Sequence, residues 1–129
     1  MENSDYIDGL TSVIVDIAKN DNAVIVGRGA AAILKDDKSV LKIGLNSSKE
    51  DRIKRISQRE NIDTTLAEKI VNEKDAARVD FYKTFFEYNG PEDPRQFHLS
   101  INTTLIKLDP TISMILAAAK TFKEGLLTH

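Results

Sequence analysis

Arg28 is the first residue of this chain whose type and position suggest ligand chemistry. It stands between Gly27 and Gly29, directly after the apolar run Ala23-Val24-Ile25-Val26. The two glycines allow a sharp turn and a close approach to a ligand, because neither carries a Cβ. A guanidinium at the end of a buried strand suits a phosphate or a carboxylate, to which its planar fork donates two parallel hydrogen bonds. A tight strand-to-helix turn with a solvated arginine is the alternative.

A second set of cations follows on a later predicted helix. Arg52, Arg55 and Arg59 are spaced at i, i+3 and i+7, which lines them along one helix face. Arg28 and Arg52 each follow a predicted strand closely, so a parallel sheet brings them to the same carboxyl edge, where helix amino ends favour anions. The spacing therefore predicts an anion site. The alternative is a solvated face whose arginines pair with nearby carboxylates.

The glycine turn also fits a dinucleotide-binding fingerprint, Gly27-x-Gly29-x-x-Ala32. The next predicted strand runs into Asn46 and has no carboxylate for a ribose, although Asn46 and Arg52 suit a 2′-phosphate. A small dinucleotide-binding domain therefore remains a hypothesis. Nothing in the 129 residues matches the Walker A pattern G-x-x-x-x-G-K-[ST], whose backbone and lysine hold nucleotide phosphates.

The composition argues against several other kinds of site and partner. The chain has no cysteine, which excludes thiolate ligands and disulfides. It has two histidines, and we expect no metal site. Its 18 basic and 20 acidic residues nearly cancel, so we expect no nucleic-acid partner. Without a signal peptide or a membrane-spanning apolar run, we expect a soluble cytoplasmic protein and no membrane partner. A chain of 129 residues is expected to form one domain, residues 1–129.

Hydrophobic periodicity and turn residues predict five helices and three strands. The helices cover 4–20, 30–34, 48–60, 64 to about 88, and 109–125, and the strands cover 23–26, 40–45 and 97–102. Strands separated by helices pair in parallel through right-handed crossovers. The predicted fold class is α/β, a three-layer sandwich in which a short parallel sheet of about three strands is flanked by helices. His98 is interpreted as a structural residue of the last strand, in which residues 97, 99 and 101 face one side and residues 98, 100 and 102 face the other.

The sequence also predicts the caps and buried faces of the helices. Ser48 is expected to cap the third helix, Thr64 or Thr65 the fourth, and Asp109 the last, with Pro110 at its first helical position. The predicted buried stripe of the first helix consists of Ile7, Leu10, Ile14, Ile17 and Ala18. That of the last helix consists of Ile112, Ile115, Leu116, Ala119 and Phe122.

Five stretches form a set by their order and spacing over roughly residues 5 to 122. They are Val24-Ile25-Val26-Gly27-Arg28-Gly29-Ala30, Glu50-Asp51-Arg52-Ile53-x-Arg55-Ile56-x-x-Arg59-Glu60, Asp75-x-x-Arg78-x-x-Phe81-Tyr82, Gly90-Pro91-x-Asp93-Pro94 and Leu99-Ser100-Ile101-Asn102-Thr103-Thr104. Together these stretches resemble the cytidylate-kinase-like family of nucleoside monophosphate kinases, which have the P-loop NTPase fold.

The resemblance implies roles for individual arginines. In that family the arginine of the Gly-Arg turn helps to hold the acceptor nucleotide. The arginines after the next strand and those of the mobile lid gather round the phosphates being transferred. Carried over by position, these roles fall on Arg28 with its flanking Gly27 and Gly29, then on Arg52, Arg55 and Arg59, and in the lid on Arg78. The expected ligand is a nucleoside monophosphate or phosphate.

The sequence departs from the family pattern in one respect. Family members carry an upstream P-loop strand and helix, and a region that folds over the acceptor base; this sequence begins just before the family's third core strand. ATP and magnesium are expected of the family, but the loop that binds them is absent from these residues. In the family the P-loop strand lies between the strands that correspond to 23–26 and 40–45. The expected fold is therefore that of a truncated P-loop nucleotide kinase.

The resemblance to the family and the absence of the P-loop pattern suggest two functions from different classes. The first is a nucleotide- or phosphate-binding scaffold that does not transfer a phosphoryl group on its own, with no catalytic residue assigned. The second is a non-catalytic oligomeric assembly or regulatory module. A homodimer is expected from the open edges of the sheet and from Phe85, Phe86 and Tyr88, which have no obvious partner within the chain.

Overall fold

The computed structural model describes residues 3–19 and 22–129, and confirms the α/β class with helices in the majority. The helices are α1 (Asn3–Lys19), α2 (Ala30–Ile33), α3 (Lys49–Glu60), α4 (Thr64–Phe86) and α5 (Leu108–Lys123). The strands are β1 (Ile43–Asn46) and β2 (Leu99–Asn102), and a short 3₁₀ turn covers Pro94–Gln96. None of the described helices combines the length and apolar character that a membrane span requires.

The two strands form a parallel pair in which both carboxyl ends stop at the same level. Ile43 pairs with Leu99 at one end, and Asn46 pairs with Asn102 at the other. The alternation predicted for the last strand is confirmed, because Ile101 is buried while Ser100 and Asn102 on either side of it are exposed. The segments that follow the two strands, leading into α3 and α5, therefore leave the sheet side by side.

The predicted strand over residues 23–26 is wrong for this structure. The segment has no regular secondary structure and pairs with no strand among the described residues, so the sheet has two strands there rather than about three. Val24 is 91% exposed and Val26 is 86% exposed, whereas Ile25 packs against the core. The apolar run is typical of a strand that is buried on both faces, but such a strand needs neighbouring strands, and residues 23–26 have none in the described part of the chain.

The first core cluster joins α1 to the turn around α2. Ile14, Ala30 and Leu34 are buried at its centre, and Leu10 and Ala18 pack against them. These α1 residues follow the predicted helical stripe, so the first helix is confirmed as far as Lys19. The predicted end of this helix at residue 20 lies outside the described residues.

The helices α3 and α4 form a hairpin around a tight turn. Ser48 caps α3, as predicted, with its hydroxyl accepting from the Asp51 amide at 3.1 Å. Asn61 ends α3 in the left-handed conformation, and the cap of α4 is Asp63 rather than either predicted threonine. The Asp63 carboxylate accepts from the Leu66 amide at 2.8 Å, and its negative charge favours the helix amino end.

The aromatic residues at the end of α4 have partners within the chain. Phe81 makes edge contacts with Phe85 and Phe86, with ring centroids 5.1 and 5.4 Å apart. Gly29 lies so close to Phe86 that a Cβ on it would be 2.8 Å from that ring. Tyr88 packs under the Arg95 guanidinium at 5.0 Å. The expectation that Phe85, Phe86 and Tyr88 lack intrachain partners is therefore wrong, and Phe81 and Phe86 lie against the turn at Gly29.

The helix α5 differs from its prediction in where it begins and in which face it buries. It begins at Leu108 with Lys107 as cap, so the proline predicted at its first position stands two residues further in. Thr111 is its buried residue, with the hydroxyl donating to the Lys107 carbonyl at 2.8 Å. The predicted core residue Leu116 is 64% exposed. The end at Gly125, with φ of 74°, agrees with the prediction.

His98 makes the structural contacts that its interpretation requires. Its Nδ1 accepts from the Lys42 amide at 3.0 Å, and its own amide donates to the Lys42 carbonyl at 2.8 Å. Its ring meets Phe122 of α5 edge-on at 5.7 Å. His98 thus extends the pairing of the strands and ties them to α5.

The turn before α2 yields a test of its packing against α4. Gly29→Ala is expected to destabilise the chain more than Gly27→Ala. Both residues have positive φ, near 70–75°, which costs an alanine about 1–2 kcal/mol. Only at Gly29 does a new Cβ meet the Phe86 ring, and such overpacking adds about 1–3 kcal/mol. Urea unfolding of the two variants measures the difference. Equal losses of unfolding free energy would show that the aromatic rings do not press on this turn.

Candidate functional site

A cavity of about 670 Å³ opens at the carboxyl edge of the strand pair. Three segments enclose it: the end of β1, the first turns of α3, and the connection from β2 into α5. Its lining residues are Leu45, Asn46, Ser47, Asp51, Arg52, Lys54, Arg55, Gln58, Thr103, Ile106, Lys107, Leu108 and Thr111. This is the edge at which ligands bind in open α/β sheets.

Positive charge dominates the lining of the cavity. Four of its side chains are cationic, and Asp51 is the carboxylate among them; the cations are Arg52, Lys54, Arg55 and Lys107. The amino end of α5 also faces this region, and it has no side-chain cap. Uncapped amide groups at a helix amino end carry partial positive charge, which favours anions. The cavity therefore combines cationic side chains with the dipole of a helix amino end.

Two threonines after β2 hold the rim of the cavity in place. The Thr103 amide and hydroxyl both donate to the Asn46 carbonyl, at 2.7 and 3.0 Å. The Thr104 hydroxyl accepts from the Ser48 amide at 2.7 Å. The connection after β2 is thereby fastened to the start of α3. These contacts set the spacing between Lys107 and the arginines of α3.

Arg52 is a lining cation that is held by an ion pair with another helix. Its Nη1 lies 2.5 Å from Oδ1 of Asp75, on the facing helix α4. The side chains are 28% and 32% exposed, so solvent only partly screens the pair. The hydrogen bond from Arg52 holds the pKa of the Asp75 carboxyl below its usual value, and the charges of Arg78 and Lys49 act in the same direction. The Arg52 Nε is buried and has no hydrogen-bond partner in the described structure.

The structure separates the sequence-predicted site residues into two groups. Arg52 and Arg55 line the same cavity, as their spacing on one face predicts. Arg59 is exposed, pairs with Glu60 at 3.2 Å, and lines a different, smaller groove between α3 and α4. Arg78 is exposed on α4, close enough to act on Asp75.

Arg28 lies in its glycine turn, away from the cavity lining. The residue is exposed with φ of 61°, and Gly27 and Gly29 on either side also have positive φ. Because residues 23–26 are not part of the sheet, Arg28 does not lie at the sheet edge that Arg52 follows. A contact between Arg28 and an acceptor nucleotide stays a prediction.

Within the described ranges, 3–19 and 22–129, no three His, Asp or Glu side chains come together in a way that could hold a metal ion. Asp75 pairs with Arg52, and Asp51 lines the cavity together with cationic side chains and no second carboxylate.

Sequence reasoning missed two contributors to the site, Lys107 and the pairing of Asp75 with Arg52. Lys107 follows a strand in an irregular connection, where no periodicity marks it. The pairing had only a partial signal, because a short turn at residues 61–63 between two predicted helices places the residues before it opposite those after it. Arg52 lies nine residues before this turn and Asp75 twelve residues after it, so the sequence indicates their neighbourhood but does not specify the pair.

Comparison with known proteins gives two matches. The family model described as the cytidylate kinase-like family matches residues 2–105. A cytidylate kinase of Methanocaldococcus jannaschii is 32% identical over 112 residues, which are 85% of this chain and 62% of that protein. The matched part is therefore less than two thirds of the relative's length. Arg52 and Arg55 lie inside the range of the family model, and Lys107 lies just beyond it.

Proposed function

This chain belongs to the cytidylate kinase-like family, and we propose that its cationic cavity binds the phosphate group of a nucleoside monophosphate. Arg52 and Arg55 donate to the phosphate oxygens from one side, and Lys107 supplies charge from the other. The observation that carries this proposal is the convergence of four cationic side chains on one cavity beside an uncapped helix end.

The cavity suits such a ligand in size and in chemistry. At about 670 Å³ it lies within the range of small-ligand pockets, about 300–1,000 Å³. Arginine forks match the geometry of a phosphate, and clustered cations with a helix dipole offset its charge. The nucleoside monophosphate is proposed because the Methanocaldococcus jannaschii relative is a cytidylate kinase. Arg28 would supply a further acceptor contact from its glycine turn.

We propose in addition that these 129 residues bind without transferring a phosphoryl group on their own. Phosphoryl transfer depends on positioning and charge stabilisation around the donor phosphates. The Walker A pattern that supplies this cradle does not occur in the sequence, and the cations of the cavity form a single cluster. The chain therefore provides the phosphate-binding part of such a reaction.

A second candidate function is self-association of a non-catalytic module. The observation that favours it is an exposed apolar stripe along α5, with Leu108 71%, Ile112 45% and Leu116 64% exposed. A second copy of this chain would cover such a stripe, because closed two-fold pairing is the commonest symmetric arrangement. Binding of a phosphate ligand distinguishes the first proposal from this one.

The first prediction from the proposal concerns ligand binding. Titration of labelled protein with cytidine monophosphate, inorganic phosphate and NADPH should show preference for the monophosphate. Arg52→Ala and Arg55→Ala should each weaken that binding by about ten- to a hundredfold, since a charge-assisted hydrogen bond contributes about 1.5–3 kcal/mol. Arg28→Ala tests the separate contact at the glycine turn.

Lys69→Ala is the control for that titration, because Lys69 is an exposed cation of α4 that does not line the cavity. Its binding should equal that of the wild type. Preference for NADPH would support the dinucleotide hypothesis instead. No response to any of the three ligands would contradict phosphate binding and leave self-association as the better proposal.

The second prediction concerns catalysis. The 129-residue chain with ATP, magnesium and cytidine monophosphate should show no turnover above a control without enzyme in a coupled assay. The reason is the missing donor-phosphate loop. Turnover that disappears in Arg78→Ala would contradict this part of the proposal, because it would show that the lid arginine acts in a complete catalytic site.

A further inference from the structure

We propose that Asp75 forms an ion pair with Arg52 in the free chain, and that the phosphate ligand displaces Asp75 from this pair. This inference rests on the phosphate site proposed above and concerns how that site is regulated. The observation behind it is that Arg52 both lines the cationic cavity and donates to a carboxylate of its own chain.

In the free chain, not every donor of the Arg52 guanidinium has an acceptor. Nη1 donates to one oxygen of Asp75, while Nε is buried without an acceptor. A phosphate can accept from two nitrogens of one guanidinium at once, in the fork arrangement that arginine favours. A rotation of the side chain towards the cavity would thus replace one charge-assisted bond and one unsatisfied donor with two bonds. A phosphate monoester also carries more negative charge than a single carboxylate.

Asp75 is not left uncompensated when Arg52 moves away. Arg78 and Lys49 both act on its carboxyl electrostatically, and both remain beside it on α4 and α3. The carboxylate can therefore stay ionised after the exchange. This surrounding charge is what makes displacement a low-cost step rather than the creation of an isolated anion.

The exchange couples ligand binding to the α3–α4 hairpin. The pair ties the first turn of α3 to the middle of α4, far from the turn at residues 61–63 that joins the helices covalently. Displacing Asp75 releases this tie while the ligand fastens Arg52 to the cavity. The ligand thereby frees the two helices to move relative to each other.

A double-mutant cycle tests the proposal, with cytidine monophosphate and inorganic phosphate as the probes. Asp75→Asn removes the competing charge, so the affinity of the chain for both probes should rise by about two- to fivefold, the range for a partly exposed ion pair. Asp80→Asn removes the same charge from an exposed site on the same helix and should leave the affinity unchanged. In an Arg52→Ala background, Asp75→Asn should have no effect.

Three results would overturn the proposal. Weaker binding in Asp75→Asn would show that Asp75 positions Arg52 for the ligand, and unchanged binding would show that the pair does not compete. An equal gain in the Arg52→Ala background would show a general charge effect. The test is separate from that of the site itself: if Arg52→Ala does not weaken binding, the phosphate site is wrong, whatever Asp75→Asn does.

A measurement on the wild-type chain covers the case in which Asp75→Asn fails to fold. The ¹³C signal of the Asp75 carboxyl reports its pKa by NMR titration, with and without saturating cytidine monophosphate. Loss of the Arg52 hydrogen bond should raise this pKa towards its ordinary value when the ligand binds. A pKa that is unchanged or lowered by the ligand would show that Arg52 stays on Asp75, and would overturn the proposal.

Discussion

The parallel pairing of β1 with β2 is the constraint on which the rest of the site depends. The register aligns Asn46 with Asn102, so the chain leaves both strands at the same level and on the same edge. Thr103 and Thr104 then fasten the two outgoing segments to each other through the Asn46 carbonyl and the Ser48 amide. A slip of the strand register would separate these segments and take apart the cavity between them.

The charges of the site are brought together by different parts of the chain. The arginines come from the first turns of α3, and Lys107 comes from the connection into α5. Asp75 arrives from the middle of α4 because the hairpin returns along α3. The same cation is thus available to a ligand on one side and to a carboxylate on the other. This arrangement supports phosphate binding in which Arg52 exchanges one anion for another.

Local sequence patterns predicted the helical elements and part of the site, and tertiary context decided the rest. The spacing of Arg52 and Arg55 placed them on one helix face, because that relation depends only on helix geometry. The run at 23–26 was read as a buried strand, but a strand exists only where a neighbour supplies hydrogen bonds, and that neighbour is not encoded in the run itself. Lys107 has no local signal, since its position follows from the strand register.

A crystal structure with cytidine monophosphate tests most directly whether a phosphate binds in the cavity beside Arg52 and Arg55. We expect phosphate oxygens at about 2.7–2.9 Å from guanidinium nitrogens of both arginines, the usual length of such charged hydrogen bonds. A nucleotide whose phosphate lies outside this cavity, with Arg52 still donating to Asp75, would contradict this expectation.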